Sequence, residues 1–244
     1  MAIGQQWMDN LSNDGLSMED VENTLHYARD LTNGLRMLKE YPQGVTVFGS
    51  ARVKESSVFY ETARKLGELM AQNGHPIITG GGPGIMEAAN RGAFEAGGMS
   101  IGLNIQLPHE QYVNKYVTNS MEFEYFFARK VMLVLSSKVY VYMPGGFGTI
   151  DELGEILVLM QEGKMPKTPI FLVGASFWQP LDDFFKAKME ESNGLISPGD
   201  RDLYTITNDL EEIVNRTNEI NPQDKSEIMK AYFERGQVIR GEQQ

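Results

Sequence analysis

No cysteine occurs among the 244 residues of this chain. Disulfides, thiolate nucleophiles, zinc–thiolate sites and iron–sulfur clusters are therefore excluded. The three histidines, His26, His75 and His109, lie far apart in the sequence and form no pair with metal-ligand spacing. We accordingly expect a functional site without a metal ion.

Long apolar runs and an excess of positive charge are also missing. No apolar run approaches the roughly 18 residues that a membrane-spanning helix needs, and residues 1–7 lack the basic and apolar regions of a secretory signal. The formal charge is −11, from 22 Lys and Arg against 33 Asp and Glu, and the basic residues are scattered. Because nucleic-acid binding needs a basic surface, these features predict a cytoplasmic protein that binds neither membranes nor nucleic acids.

The chain instead alternates short apolar runs with longer amphipathic segments. Nearly unbroken apolar runs separated by helices are typical of a parallel sheet covered on both faces. The sequence therefore predicts an α/β fold with a doubly wound, mostly parallel, Rossmann-like sheet. The predicted strands cover residues 45–48, 76–79, 100–105, 138–143, 169–173 and 203–206. The predicted helices cover residues 18–39, 59–72, 86–96, 125–136, 149–161, 177–189, 210–217 and 226–235.

Two glycine-rich turns each stand between a predicted strand and a helix. The first glycine turn (residues 80–84, GGGPG) follows Thr79, and the second glycine turn (residues 144–148, PGGFG) follows Met143. Glycine lets the backbone approach a ligand closely, and a helix start directs N–H groups and its positive dipole end at an anion. Ligands of open parallel sheets bind beyond the carboxyl ends of the strands. The turns therefore predict a site for a phosphorylated ligand, most simply a nucleotide.

The sequences of the two turns also disfavour two kinds of chemistry. Neither has the GxxxxGK[ST] or GxGxxG pattern, which disfavours P-loop phosphoryl transfer and hydride transfer.

No internal repeat or linker divides the chain. Residues 1–17 are polar and predict an N-terminal arm, with Ser17 and Asp20 at the start of the first helix. Residues 18–244 predict a single α/β nucleotide-binding domain.

Several side chains near the turns admit two interpretations. Glu152 lies three residues after Thr149, so it is either part of a capping box or a catalytic carboxylate. Arg129 and Lys130 interrupt an apolar helix, where they either extend to solvent or reach the strand ends. Asn90 is interpreted as helix surface.

Together these residues resemble the Lonely Guy (LOG) family of cytokinin-activating phosphoribohydrolases, often labelled lysine decarboxylases. The resemblance rests on residues 80–90 (GGGPGIMEAAN), on the Arg129-Lys130 pair and on residues 144–152 (PGGFGTIDE), and it covers roughly residues 42–195. The MEAAN sequence and the N-terminal extension are similar to the longer bacterial branch of the family.

The resemblance implies an activity and its residues. Family members hydrolyse the N-glycosidic bond of a nucleoside 5′-monophosphate, usually AMP or an N6-prenylated AMP. Arg129 and Glu152 would be the catalytic pair, with Glu152 either stabilising the ribosyl cation or orienting the attacking water. The resemblance also implies a homodimer or higher homo-oligomer and no cofactor. The substrate-binding residues that it implies are Ser50, Gly82, Met86, Glu87, Lys130, Gly145, Gly146, Gly148 and Thr149.

Functions of other classes stay open, because a fold alone does not determine a function. Molybdenum-cofactor carrier proteins share this fold and similar glycine turns. A non-catalytic carrier or sensor of a phosphorylated small molecule, such as that cofactor or a nucleotide, is therefore the alternative, and nucleotide-dependent regulation through an interface is a third possibility. Lysine decarboxylation is disfavoured, since it needs pyridoxal phosphate on a lysine and nothing near Lys130 indicates such a site.

Overall fold

One seven-stranded sheet organises the residues that the computed structural model describes, which are 17–41, 43–106 and 113–220. The strands are β1 (Gly44–Phe48), β2 (Ile77–Thr79), β3 (Ser100–Ile105), β4 (Asn119–Phe123), β5 (Ser137–Tyr142), β6 (Ile170–Val173) and β7 (Thr205–Thr207). The α-helices are α1 (Met18–Glu40), α2 (Val58–Gln72), α3 (Ile85–Glu95), α4 (Phe126–Leu135), α5 (Phe147–Gln161), α6 (Ala175–Phe184) and α7 (Leu210–Asn218). A π-helix at Phe185–Glu191 and a 3₁₀ helix at Asp200–Leu203 complete the elements.

The strand order is β4-β3-β2-β1-β5-β6-β7, and every pair is parallel. The chain winds outward from β1 to β4, returns to the centre at β5, and winds outward again to β7. Central β1 pairs with β2 at Val45↔Ile77 and with β5 at Val47↔Val141. This topology confirms the predicted doubly wound α/β fold and makes β1 and β5 the strands between which the winding reverses.

Helices cover both faces of the sheet. Successive residues of a strand point to opposite faces, so the side chains on both faces are buried. On one face, Phe48 and Tyr142 stack with ring centroids 4.8 Å apart within a cluster that includes residues of α4 and α5. On the other face, Val47 and Val141 belong to a cluster that includes residues of α2 and α3. Burial on two faces explains why the strands read as continuous apolar runs.

The polar strand β4 is the element that the sequence pattern does not predict. Its residues alternate in exposure because it lies at the edge of the sheet. Just beyond it, the carboxylate of Asp30 in α1 accepts hydrogen bonds from the backbone N–H groups of Glu124 and Tyr125. An edge strand is paired on one side only and needs few apolar residues. Its sequence therefore lacks the apolar run by which the other strands are predicted.

The helix predictions agree with the structure to within one residue at most ends and are wrong at three, which are the start of α5 and both ends of α6. Ser17 and Asp20 form a capping box at the start of α1, as predicted. In contrast, α5 begins at Phe147, two residues before its predicted start. The segment predicted as one helix over 177–189 is α6 followed by the π-helix. The predicted arm, apart from Ser17, and the predicted helix at 226–235 lie outside the described residues. Within the described ranges, no helix combines the length and apolarity needed to cross a membrane.

A polar cluster lies at the amino ends of β2 and β5, at the edge of the sheet opposite to the glycine turns. His75 Nε2 lies 2.6 Å from Asn218 Oδ1, and Lys138 Nζ lies 3.2 Å from His75 Nδ1. Burial lowers the pKa of His75, and the charge of Lys138 adds to this effect while the hydrogen bond to Asn218 opposes it. The folded state therefore favours the neutral ring.

This arrangement predicts a contribution of His75 to the pH dependence of stability. As the pH falls below about 6.5, the unfolded chain takes up the His75 proton before the folded chain does, so this group lowers the free energy of unfolding in acid. We expect urea denaturation to show a smaller loss of stability between about pH 8 and about pH 5.5 in His75→Gln than in the wild type. Equal losses would show that folded His75 accepts its proton as readily as the unfolded chain does.

Candidate functional site

The loop after β1 connects the two glycine turns through the main chain of Ser50. Ser50 N donates to Pro144 O at 3.1 Å, and Ser50 O accepts from Ile85 N at 3.1 Å. Gly84 allows this close approach, because its φ is 70° and a Cβ there would overlap Ser50 O. Both turns therefore meet where the winding reverses, which is the place where open α/β sheets bind ligands.

Two buried asparagines fix the first glycine turn. Asn114 Nδ2 donates to the carbonyl oxygens of Gly81 and Gly82, each at 3.1 Å, and to Asn90 Oδ1 at 3.0 Å. Thr79 Oγ1 donates to the same Asn90 oxygen at 2.6 Å. Asn90 is fully buried, so its interpretation as helix surface is wrong. The amide of Asn114 satisfies the carbonyl groups that the tight turn leaves inside the protein, and Asn90 holds Asn114 in place.

The second glycine turn leads into α5 without a capping side chain. Gly146 is the N-cap residue, and no side chain makes a capping hydrogen bond there. Thr149 is buried against Gly145, whereas a Cβ on Gly146 or Gly148 would meet no atom within 4 Å. The start of α5 consequently presents main-chain N–H groups and a positive dipole end toward open space, as an anion site requires.

The capping-box interpretation of Glu152 is wrong. Because α5 begins at Phe147, Glu152 lies in its second turn and not at the third position of a box opened by Thr149. The side chain of Thr149 packs against Gly145 instead of capping the helix, which allows the helix to start earlier. Glu152 therefore has no capping role that would explain its presence.

Glu152 lies in a largely desolvated position beside β5. Tyr142 OH donates to the Glu152 carbonyl oxygen at 3.1 Å, which ties the second turn of α5 to the strand. Burial raises the pKa of the Glu152 carboxyl to about 7, although the positive charges of Arg129 and Lys130 lower it. A carboxyl group with this pKa exchanges protons near neutral pH, as catalytic acids and bases do.

Arg129 extends from α4 toward the ends of β2 and β3. It is only 9% exposed, and its Nε donates to Leu103 O at 2.7 Å. The first glycine turn makes room for it, since a Cβ on Gly80 would overlap Arg129 Nη2. Burial lowers the pKa of Arg129 and the charge of Glu152 opposes this effect. Within the described part of the chain, no carboxylate lies within the 4.0 Å of an ion pair with Arg129. The guanidinium therefore has unused capacity for an anionic group.

Lys130, the neighbour of Arg129, points to α5 instead. Its Nζ lies 2.9 Å from Asp151 Oδ2 and 2.8 Å from Glu155 Oε2. Burial alone would lower the pKa of Lys130, but the hydrogen bonds that it donates to the two carboxylates more than offset this effect, so the pKa is raised. A ligand would compete with these two ion pairs for Lys130.

Met86 and Glu87 lie in the first turn of α3, behind the first glycine turn. A Cβ on Gly80 would lie 2.8 Å from the sulfur of Met86, which places Met86 over the turn near Arg129. Tyr60 OH in α2 donates to Glu87 Oε1 at 3.1 Å. Burial, with the charge of Glu87 adding to it, raises the pKa of Tyr60 to about 12, even though a hydrogen bond with Arg91 lowers it.

The structure thus collects Ser50, Arg129, Glu152 and the two glycine turns at the carboxyl edge of the sheet. Their roles toward a ligand, like those of the other residues named from the sequence, stay predictions. Asn104 and Asn114 also lie at this edge, and neither was predicted from the sequence to belong to the site. Asn104 is a buried amide inside an otherwise apolar strand, and that contrast is the one signal that would have indicated it.

Comparisons with known proteins show the family and the fold to which the chain is similar. A family model described as possible lysine decarboxylase matches residues 86–217, which is more than half of the chain. The cytokinin riboside 5′-monophosphate phosphoribohydrolase LOG3 of Arabidopsis thaliana is 28% identical over 78% of this chain and 88% of the relative. The probable enzyme of that name LOGL2 from Oryza sativa is 25% identical over 91% of this chain and 88% of the relative. Among solved structures, a molybdenum cofactor carrier protein of Chlamydomonas reinhardtii has a TM-score of 0.54 and 26% identity, covering 73% of this chain and 98% of its own.

The confinement of Arg129 by the first glycine turn can be tested by stability. In Gly80→Ala, the new methyl group overlaps the buried guanidinium, so we expect the free energy of unfolding to fall by about 1–3 kcal/mol. Gly154→Ala is the control, because its methyl group enters open space within α5 and removes a helix glycine, which stabilises by about 0.5–1 kcal/mol. Urea denaturation measures both. A Gly80→Ala variant as stable as the wild type would show that the turn does not confine Arg129.

Proposed function

The chain belongs to the Lonely Guy (LOG) family, and on that premise we propose that it hydrolyses the N-glycosidic bond of a purine nucleoside 5′-monophosphate. The products are the free base and ribose 5-phosphate, and the substrate is AMP or an N6-modified AMP. The observation that carries this proposal is the position of Glu152. Its side chain is half-buried in the second turn of α5, one helical turn beyond the amides that open the helix, and the charge of Arg129 acts on its carboxyl group.

The second glycine turn is the proposed phosphate site. Gly145, Gly146, Gly148 and Thr149 surround the uncapped start of α5, where main-chain N–H groups and the helix dipole favour an anion. With the 5′-phosphate there, the sugar extends toward the second turn of the same helix. The anomeric carbon then faces Glu152.

Glu152 acts on the bond that breaks. Departure of the base leaves the bonding electron pair on the base, which takes up a proton from solvent, and leaves positive charge on the ribosyl ring. Water then adds at the anomeric carbon and loses a proton. An ionised Glu152 stabilises that charge, and it accepts the proton that the attacking water loses. Both roles need the carboxylate form, which a pKa of about 7 makes available near neutral pH.

Arg129 complements this carboxylate with a positive charge. Its guanidinium is buried, is fixed at one end by Leu103 O and has no described ion-pair partner. In that position it binds the phosphate or the departing base, whose nitrogen gains negative charge as the bond breaks. Ser50, Gly82, Met86 and Glu87 line the remaining space, with Lys130 at its α5 side.

Pyridoxal phosphate chemistry, which the description "lysine decarboxylase" implies, does not fit the described lysines. A lysine must lose its proton and become a neutral amine before it can form a Schiff base. Lys130 lies nearest to the site, but two carboxylates raise its pKa. Lys138 has a lowered pKa, yet it lies at the amino end of β5, beside His75.

A carrier of a phosphorylated small molecule remains the second candidate. It is favoured by the structural similarity to the molybdenum cofactor carrier protein. Such a carrier needs the anion site of α5 but has no use for a desolvated carboxyl group beside it. We also propose a homodimer or larger homo-oligomer, for which the exposed side chains of Phe126, Phe127 and Val158 on α4 and α5 offer apolar surface.

The catalytic role of Glu152 is tested by Glu152→Gln, which keeps the size of the side chain and removes its charge. We expect the rate of adenine release from AMP, followed by chromatography, to fall at least about 100-fold. Arg129→Ala should give a comparable loss. Glu162→Gln is the matched control, because it removes an exposed carboxylate at the C-cap of α5, at the opposite end of the helix from the second glycine turn.

The outcomes separate the two candidate functions. Release of adenine by the wild type that survives both Glu152→Gln and Arg129→Ala would overturn the assignment of the site. Binding of a nucleotide without release of base from any purine or pyrimidine monophosphate would support the carrier.

The raised pKa of Glu152 predicts the pH profile of the reaction. Because the carboxylate is the active form, kcat/KM should rise with pH and level off above about 7. The charge of Asp151 contributes to the raised pKa, so the rise should move to lower pH in Asp151→Asn. A rise that stays in place in this variant would belong to another group, such as the phosphate of the substrate.

A further inference from the structure

Asn104 in β3 has a buried side chain with an unused hydrogen-bonding atom. The residue is 2% exposed, and its Oδ1 is the one buried side-chain oxygen or nitrogen without a hydrogen-bond partner among the residues that the structure describes. Leaving such an atom unpaired costs free energy, so folded proteins rarely retain one without a reason. The other buried amides at this edge, Asn90 and Asn114, are hydrogen-bonded to each other, and Asn90 also bonds Thr79 and Ser100.

The position of Asn104 connects it to the proposed site. Strand β2 ends with Thr79 opposite Gly102, so Asn104 lies two residues beyond the end of β2, under the first glycine turn. A Cβ on Gly81 would overlap Asn104 Oδ1, and the φ of 72° at Gly81 turns the chain around this oxygen. The neighbouring residue in β3, Leu103, holds Arg129 through its carbonyl oxygen.

We propose that Asn104 is a specificity-determining residue whose carboxamide oxygen accepts a hydrogen bond from the exocyclic amine of the purine base. This inference rests on the proposed function. A carboxamide oxygen only accepts, so its partner must be an N–H or O–H group of the ligand. A nucleoside monophosphate offers the base amine and the ribose hydroxyls.

The order of the strands favours the base. The phosphate site lies at the end of β5, and β3 is three strands away in the order β3-β2-β1-β5. Strands lie about 4.8 Å apart, so this separation is about 14 Å. Among the donors of a nucleoside monophosphate the exocyclic amine lies farthest from the phosphate, and its hydrogen bond adds about 3 Å to that reach, whereas the ribose lies nearer, beside Glu152. Asn104 is therefore placed to distinguish a base that carries an amine from one that carries a carbonyl group.

The experiment compares AMP with inosine 5′-monophosphate, which has a carbonyl oxygen in place of the amine. We expect the wild type to prefer AMP in kcat/KM. Asn104→Leu should lower kcat/KM for AMP about tenfold while changing the value for inosine monophosphate little, so the preference collapses. Asn104→Asp, which keeps an acceptor oxygen, should retain the preference. If Asn104→Leu does not fold, Asn104→Ala takes its place with the same expected ratio.

The control is Asn119→Ala on the edge strand β4, where the carboxamide donates to Tyr41 OH, and it should leave the preference unchanged. Equal losses for both substrates in Asn104→Leu would overturn the proposal, because a structural role alone does not distinguish the bases. If Asn104→Leu keeps the preference for AMP over inosine monophosphate but no longer discriminates against 2′-deoxy-AMP, the oxygen binds a ribose hydroxyl. That result would overturn the assignment to the base. If the wild type releases no base from any nucleotide, the proposed function fails instead, and the ratio of dissociation constants for AMP and inosine monophosphate tests Asn104.

Discussion

The main chain of Ser50 holds the candidate site together. Its N–H group and its carbonyl oxygen each make one hydrogen bond, to Pro144 O of the second glycine turn and from Ile85 N at the start of α3. An all-parallel sheet brings its strand ends to one edge but leaves the loops beyond them unpaired. These two bonds join the loops at the point where the winding reverses, so the starts of α3 and α5 are held at a fixed distance from each other.

The electrostatic character of the site follows from burial at the junction. Glu152 and Arg129 come from different helices and lie in a largely desolvated place, where each charge is costly alone. Burial acts in opposite directions on the two groups, raising the pKa of Glu152 and lowering that of Arg129, and each charge opposes the shift of the other. Because no ion pair closes between them within the described residues, both groups retain the capacity to interact with a ligand. A structural salt bridge would have used that capacity.

The fold was predictable from the sequence because burial on both faces leaves a local signal. Continuous apolar runs such as β5 mark parallel strands wherever they occur, and glycine turns mark the ends of those strands. The strand β4 gave no such signal, since an edge strand is held by its neighbour and by Asp30 and not by its own apolar residues. The start of α5 was misplaced for a related reason. Thr149 has the preferences of a capping residue, but packing against Gly145 overrides them.

The site was predictable only where a motif spans a short stretch of sequence. The residues of the second glycine turn and Glu152 lie on one turn and one helix, so their relation is visible in the chain. Asn90, Asn104 and Asn114 come together only through the pairing of β2 with β3, and each looks like an ordinary polar residue beforehand. Buried amides take their roles from the partners they find. Two of these three found partners within the protein and became part of the scaffold.

The contrast between enzyme and carrier rests on the cost of the carboxyl group. A phosphate site at the start of α5 gains nothing from an acid one turn away, because the two negative charges repel each other. Desolvation adds to that cost, as the raised pKa of Glu152 shows. A protein that only binds a phosphorylated molecule would be better served by a neutral side chain at this position. The proposed reaction at the anomeric carbon would supply a compensating benefit, because positive charge would develop next to the carboxylate as the bond breaks.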